Sequence, residues 1–224
     1  MLRINATYIS IMKYNKKLVL PIALALSVYS LSYSIPKVVV DINKVHYLKF
    51  AIDELIPLYS PSVVIYVMAF GQWILAILTL LKYETNQGYR VASAFIIGSL
   101  IGLATFLIYP TAIIRNPIEV HNVFDWLLSF VCSVDSVVNA CPSFHCFCST
   151  IVIHVIWNYK PTNKKKLIIN ILFSIMVFAS TLLTKQHYFI DAPCGILLAD
   201  ISILISKKIN FNRLFENINK KLLG

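Results

Sequence analysis

The stretch "TKQHYFIDAPCGILLADISILI", residues 184–205, joins a polar head carrying Lys185, His187 and Asp191 to a long apolar run. A helix that only had to be greasy would not open with a cation, an imidazole and a carboxylate, so the segment reads as a membrane helix whose end carries chemistry. Working outward, apolar runs of similar length recur at Leu18–Ile35, Ser62–Leu81, Val91–Tyr109, Ser143–Tyr159 and Leu167–Leu183, which with Tyr188–Ile205 makes six. Each approaches the ~20 residues that cross about 30 Å of hydrocarbon. Over 224 residues, 58% are hydrophobic and 13% charged, which excludes an ordinary soluble core. The sequence therefore predicts an all-α polytopic membrane protein, a six-transmembrane-helix bundle forming one domain over residues 1–224, with residues 1–17 and 207–224 as cytoplasmic ends.

The net charge of +10 does not point to nucleic acid, because the basic residues fall in short loops between spans, with no stripe of interleaved aromatics. With both termini inside, fifteen Lys and Arg lie on the cytoplasmic side, Arg3, Lys13 and Lys160 among them, against five outside. That bias satisfies the positive-inside rule. The first run follows a basic stretch, as a secretory signal would, but no small-x-small cleavage site precedes Ile35 and Pro36, so it is expected to remain as a span. A bacterial inner membrane is the expected location, with the long segments 36–61 and 110–142 facing away from the cytosol. These segments carry six of the ten acidic residues and Asp191, on the same side, makes a seventh, which marks the outer face as functional. Within the second, "VHNVFDWLLSFVCSV" at 120–134 has apolar residues at helical spacing and predicts a short interfacial helix between spans three and four. The terminal "KKINFNRLFENINKKLL" at 207–223 predicts a basic amphipathic tail on the inner leaflet.

Three outer stretches concentrate chemistry. His187 and Asp191, spaced i,i+4, are expected on one helical face, where a carboxylate fixes the tautomer of an imidazole and frees its far nitrogen as a nucleophile. In "NACPSFHCF" at 139–147, Ser143 is a natural N-cap, the N–H groups after it form an anion site, and His145 could give a proton to a leaving oxygen. In "YPTAIIRNPIEV" at 109–120, Arg115 presents a fork matched to phosphate oxygens. The plain alternatives are a surface polar pair, a capped helix and a snorkelling anchor. Cys141, His145, Cys146 and Cys148 also invite a zinc site, but lack the paired-cysteine knuckle, and buried thiols are expected. The topology places the end of span three and the starts of spans four and six on one side of the membrane, where the three stretches can grip one tetrahedral anion.

These stretches resemble the type 2 phosphatidic acid phosphatase superfamily, six-span lipid phosphatases and phosphotransferases with the signature K-x6-R-P, P-S-G-H, S-R-x5-H-x3-D. "PSFH" matches the second motif with Phe144 in place of Gly, and Ser180, His187 and Asp191 match the third with Thr181 in place of Arg. In the first motif Asn116 intervenes between Arg115 and Pro117, and the Lys position is Ile108. "TKQHY" with its Asp, the "YP" and Arg after span three, and "DELIPLYSP" at 53–61 look more like the branch of inositol phosphorylceramide and sphingomyelin synthases. The resemblance spans residues 53–195. It implies that His187 attacks phosphorus to form a phosphohistidine, that Asp191 holds its ring, and that His145 protonates the departing alkoxide. Arg115, Ser143 and the backbone near Phe144 would bind the phosphoryl oxygens, with Lys185 compensating for the missing cations. No metal or other cofactor is needed where fixed cations neutralise the charge. The expected substrate is a phospholipid or isoprenoid phosphate in the bilayer, with water or a lipid alcohol as acceptor. A degenerate lipid-binding scaffold is the third expectation.

Overall fold

The structure, a computed structural model, describes residues 14–158, 164–209 and 211–223. Arg3, Lys13 and Lys160 lie outside them, as does Tyr159, the expected end of the fourth span. The described residues form nine α-helices: α1 Val19–Val39, α2 Ala51–Leu55, α3 Val63–Leu80, α4 Thr85–Ile108, α5 Val123–Val134, α6 Phe144–Asn158, α7 Lys164–Leu183, α8 Asp191–Lys208 and α9 Asn212–Leu223. The all-helical expectation holds among them, since only two isolated bridges, His46 to Thr111 and Ala112 to Val138, tie the long loops together.

Four helical stretches are long and apolar enough to cross a membrane: Lys16–Val39, Ser60–Leu80, Thr85–Ile108 and Lys164–Leu183. They match four of the six expected spans. The other two expected spans differ for physical reasons. Helix α6 has 15 residues and at 1.5 Å per residue is about 22 Å long, short of a full crossing. Helix α8 is 18 residues long but carries Asp191, Asp200, Lys207 and Lys208. The expected loop helix is present as α5, capped by Asn122, whose side chain accepts from the N–H groups of Phe124 and Asp125.

Helix α6 occupies the centre, packed on α3, α7 and α8, while α4 lies between α1 and α8. Its shortness fits that place, because a helix wrapped by others need not meet lipid along its length. Two glycines on α4 make room for it. A Cβ at position 102 would come within 2.4 Å of the Phe144 ring, and one at position 98 within 2.3 Å of Phe147. Polar side chains also join helices in the interior: Gln72 Nε2 donates to Ser174 Oγ at 3.0 Å and Trp73 Nε1 to Ser149 Oγ at 3.2 Å. Large apolar side chains such as Met68, Leu75, Leu172 and Ile175 point outward instead, as they do where the surrounding solvent is hydrocarbon.

One end of the bundle is basic and closely stitched. Asn15 Nδ2 donates to the Tyr83 carbonyl and Thr85 Oγ1, and Asn219 Nδ2 donates to the Lys17 carbonyl and Tyr89 Oη. The C-terminal segment is the amphipathic helix α9, docked by the buried Phe215 on Tyr89, with ring centroids 5.1 Å apart. The opposite end holds the long loops, α2, α5 and the three chemistry-bearing stretches.

Candidate active site at the loop-rich end

Helix α7 stops because the chain folds back on it. The N–H groups of Gln186 and His187 both donate to the Thr181 carbonyl, at 3.0 and 3.1 Å, and Lys185 takes a left-handed φ of 55°. His187 therefore lies in the turn before α8, not on the shared helical face that i,i+4 spacing predicted. Asp191 reaches back from the first turn of α8 to meet it: Oδ2 lies 3.2 Å from His187 Nδ1 and accepts the Tyr188 N–H at 2.9 Å. Both side chains are buried. A carboxylate that only accepts puts the proton on Nδ1 and leaves Nε2 with its lone pair.

The same turn is pinned from the other side by Asp53, a residue whose role the sequence did not expose. Its carboxylate accepts the N–H groups of Phe50 at 2.8 Å and Phe189 at 2.6 Å, and its carbonyl, with that of Ile56, takes the ammonium of Lys185. The positive charge expected to face phosphate is thus directed into the α2 segment. Asp53→Ala should cost about 1–3 kcal/mol by removing a buried carboxylate acceptor from two part-buried N–H groups, read as a lower Tm in detergent.

The α6 terminus is held against α8. The Ser143 N–H donates to the Asp191 carbonyl at 3.0 Å, and Ser143 Oγ accepts the Cys146 N–H at 3.4 Å, the N-cap expected. Phe144 turns its ring away into the core, on Tyr29, Phe106 and Phe147, so any part it plays at the site falls to its backbone. His145 instead faces the site. Its ring stacks on Tyr66 with centroids 4.1 Å apart, packs on Trp73 at 5.1 Å, and lies 6.3 Å from the His187 ring. Among the described residues no three of the histidines, cysteines and carboxylates stand together as the zinc site considered above would require, and the five cysteines form no disulfide. Burial, followed by the neighbouring Asp191 carboxylate and Cys194 thiol, pushes Cys141 above the usual thiol range.

Arg115 caps α5. Nη1 donates to the carbonyls of Cys132 at 3.2 Å and Asp135 at 2.9 Å, and Nη2 to that of Ser136 at 3.1 Å, where the negative end of the helix dipole suits a guanidinium. Its Nε, His145 Nε2 and Gln186 Oε1 are buried without a hydrogen-bond partner among the described residues, and all three side chains line one cavity of about 20 Å³ together with His187. Arg115, His145, Gln186 and His187 thus border a single small space. Asp135 lines it too: burial opposes its ionisation, but hydrogen bonds from Tyr33 and Tyr66 and the charges of His145 and Arg115 outweigh it and hold the carboxyl below its usual range. The stability this lends is full above the unfolded-state value and lost as pH falls through the lower folded value. Acid melts should therefore steepen only below the ordinary carboxylate range.

A family model described as the PAP2 superfamily matches residues 39–205, most of the chain. The chain belongs to the PAP2 superfamily. No curated protein and no solved structure matches it. PAP2 superfamily membership places it among phosphatase- and phosphotransferase-type enzymes of lipid phosphates, and the four long apolar helices are those of a multi-pass membrane protein. The matched region contains every residue the motifs singled out. It also contains Gln186, Tyr66 and Asp135, which the sequence did not single out: Tyr66 looked like one more apolar residue of a span, and Asp135 meets the phenols of Tyr66 and Tyr33 across 69 and 102 positions of chain.

Proposed function

We propose that this PAP2 superfamily member is a lipid phosphate phosphatase working through a phosphohistidine on His187, at an extracytoplasmic site with both termini in the cytoplasm. The observation that carries it is the convergence of two imidazoles, 6.3 Å apart between centroids, and the unpartnered Arg115 Nε on one small buried space. In this scheme Nε2 of His187 attacks phosphorus as the P–O ester bond breaks. His145 gives its proton to the leaving alkoxide, then takes one from the water that cleaves the P–N bond. Asp191 orients His187 and balances the cation formed on attack. Arg115 Nε, Ser143 and the backbone N–H groups near Phe144 face the phosphoryl oxygens. An apolar cleft of about 200 Å³, with Phe70 and Trp73 in its wall, lies beyond His145 and suits the lipid chain.

A second reading, transfer to a lipid alcohol as in the branch of inositol phosphorylceramide and sphingomyelin synthases, is favoured by a cavity of about 560 Å³ on the far side of His187, lined by Arg115, Asp53, Lys185 and Tyr188. That is ample room for a second reactant or a bulky headgroup beside the phosphate. A radiolabelled lipid phosphate, incubated with and without diacylglycerol or ceramide, separates the two. Release of inorganic phosphate regardless of acceptor supports the hydrolase, and label appearing in a new lipid only with acceptor supports the transferase. Arg115→Ala should lower kcat/KM about 10²-fold, as loss of a transition-state donor does, and weaken inhibition by vanadate in the same assay.

A further inference from the structure

Asp135 closes α5 at the edge of the site, where the scheme above gives it no part. Its Oδ1 accepts from Tyr33 Oη and from the Ser136 N–H at 2.9 Å, and its Oδ2 accepts from Tyr66 Oη at 3.0 Å. Tyr66 is 2% exposed, and its ring is the one stacked on His145 at 4.1 Å with 27° between planes. On the other face of the network, Arg115 grips the Asp135 carbonyl at 2.9 Å. A buried carboxylate, a phenol and an imidazole thus stand in series, and the imidazole is the one that borders both the small cavity and the apolar cleft wall.

We infer that Asp135 is a positioning residue for His145, acting through Tyr66 as Asp191 acts directly on His187. A phenol fixed at its hydroxyl holds its ring in one place. The imidazole stacked on that ring is then held with Nε2 toward the leaving oxygen, and the nearby carboxylate balances the imidazolium that exists until the proton is given up. The two histidines would thereby have separate carboxylates, one bonded and one relayed. The inference rests on His145 serving as the general acid of the proposed reaction.

The test exploits what a general acid is for. Cleaving a long-chain alkyl phosphate requires a proton on the departing alkoxide, whereas p-nitrophenolate leaves without one. Asp135→Asn should lower kcat/KM for hexadecyl phosphate about 10–100-fold, and for p-nitrophenyl phosphate less than about threefold. Tyr66→Phe, which keeps the stacked ring and removes the hydroxyl, should show the same imbalance at smaller size. Equal losses on both substrates would overturn the inference, because general damage to the fold does not discriminate between leaving groups. A second measurement needs no turnover: in protein labelled with ¹³C-histidine, the ring signals of His145 should move in both variants while those of His187 stay. Unmoved His145 signals would overturn it as well. If the wild type cleaves neither substrate, the proposed function fails on its own, and the ring signals still decide whether Asp135 governs His145.

Discussion

His187→Ala should abolish turnover, lowering kcat by about 10⁴-fold or more, since the proposed scheme passes the phosphoryl group through this imidazole alone. The fold should survive the change. The turn that carries His187 is set by backbone bonds to the Thr181 carbonyl, and the Asp191 carboxylate keeps its bond from the Tyr188 N–H. The variant should therefore melt within about 1 kcal/mol of the parent while failing to form an acid-labile, base-stable phosphoenzyme from ³²P-labelled lipid phosphate. Wild-type rates in His187→Ala would remove the nucleophile assignment. Retained labelling with lost turnover would instead move the covalent bond to another residue, with His145 the first to examine.

Gly195→Ala should be the most damaging glycine-to-alanine change among the described residues, since only there does the added methyl meet main chain so closely. A Cβ there would lie 2.3 Å from the Ser143 carbonyl oxygen, 3.0 Å from Cys146 Cβ and 3.1 Å from the Phe147 backbone N. Main-chain atoms of a packed helix terminus do not swing aside as a flexible side chain does, so α8 must retreat from α6. Overpacking of this kind costs about 1–3 kcal/mol. Here it also stretches the Ser143 N–H to Asp191 carbonyl bond of 3.0 Å, which holds together the two segments that carry the imidazoles. The expected result is a lower Tm accompanied by a loss of kcat/KM larger than the fraction unfolded explains. A variant with parental stability and rate would mean that the two helix ends are not held as closely as drawn.

How far the sequence carried the structure depends on the range of the interactions. Helical content was legible because apolar runs of near-span length are a local property, and four of them correspond to helices able to cross a bilayer. Helix α5 was legible from its apolar spacing, again a local property, and the Asn122 cap that starts it emerged only with the structure. Helix α6 was drawn too much like the others, since the rule that a span needs ~20 residues assumes contact with lipid, and this helix is buried by its neighbours. At the site, the motifs named the residues that meet, but periodicity alone misplaced how they meet. The i,i+4 spacing of His187 and Asp191 suggested a helix face, whereas capture of two N–H groups by Thr181 keeps His187 out of the helix. Lys185 and Arg115 were read as free cations because their main-chain carbonyl partners, Asp53, Ile56, Cys132, Asp135 and Ser136, leave no mark on a sequence.

Phe70 and Trp73, in the wall of the apolar cleft, pack on His145, while the larger cavity, with Arg115, Asp53 and Lys185 in its lining, is bordered by His187. An amphiphile spanning them would keep its tails at bilayer depth and its head at the rim, so it could arrive by lateral diffusion without passing through water. Its encounter rate would then follow its mole fraction in the bilayer or micelle. Adding inert detergent at constant lipid should slow such an enzyme by surface dilution alone.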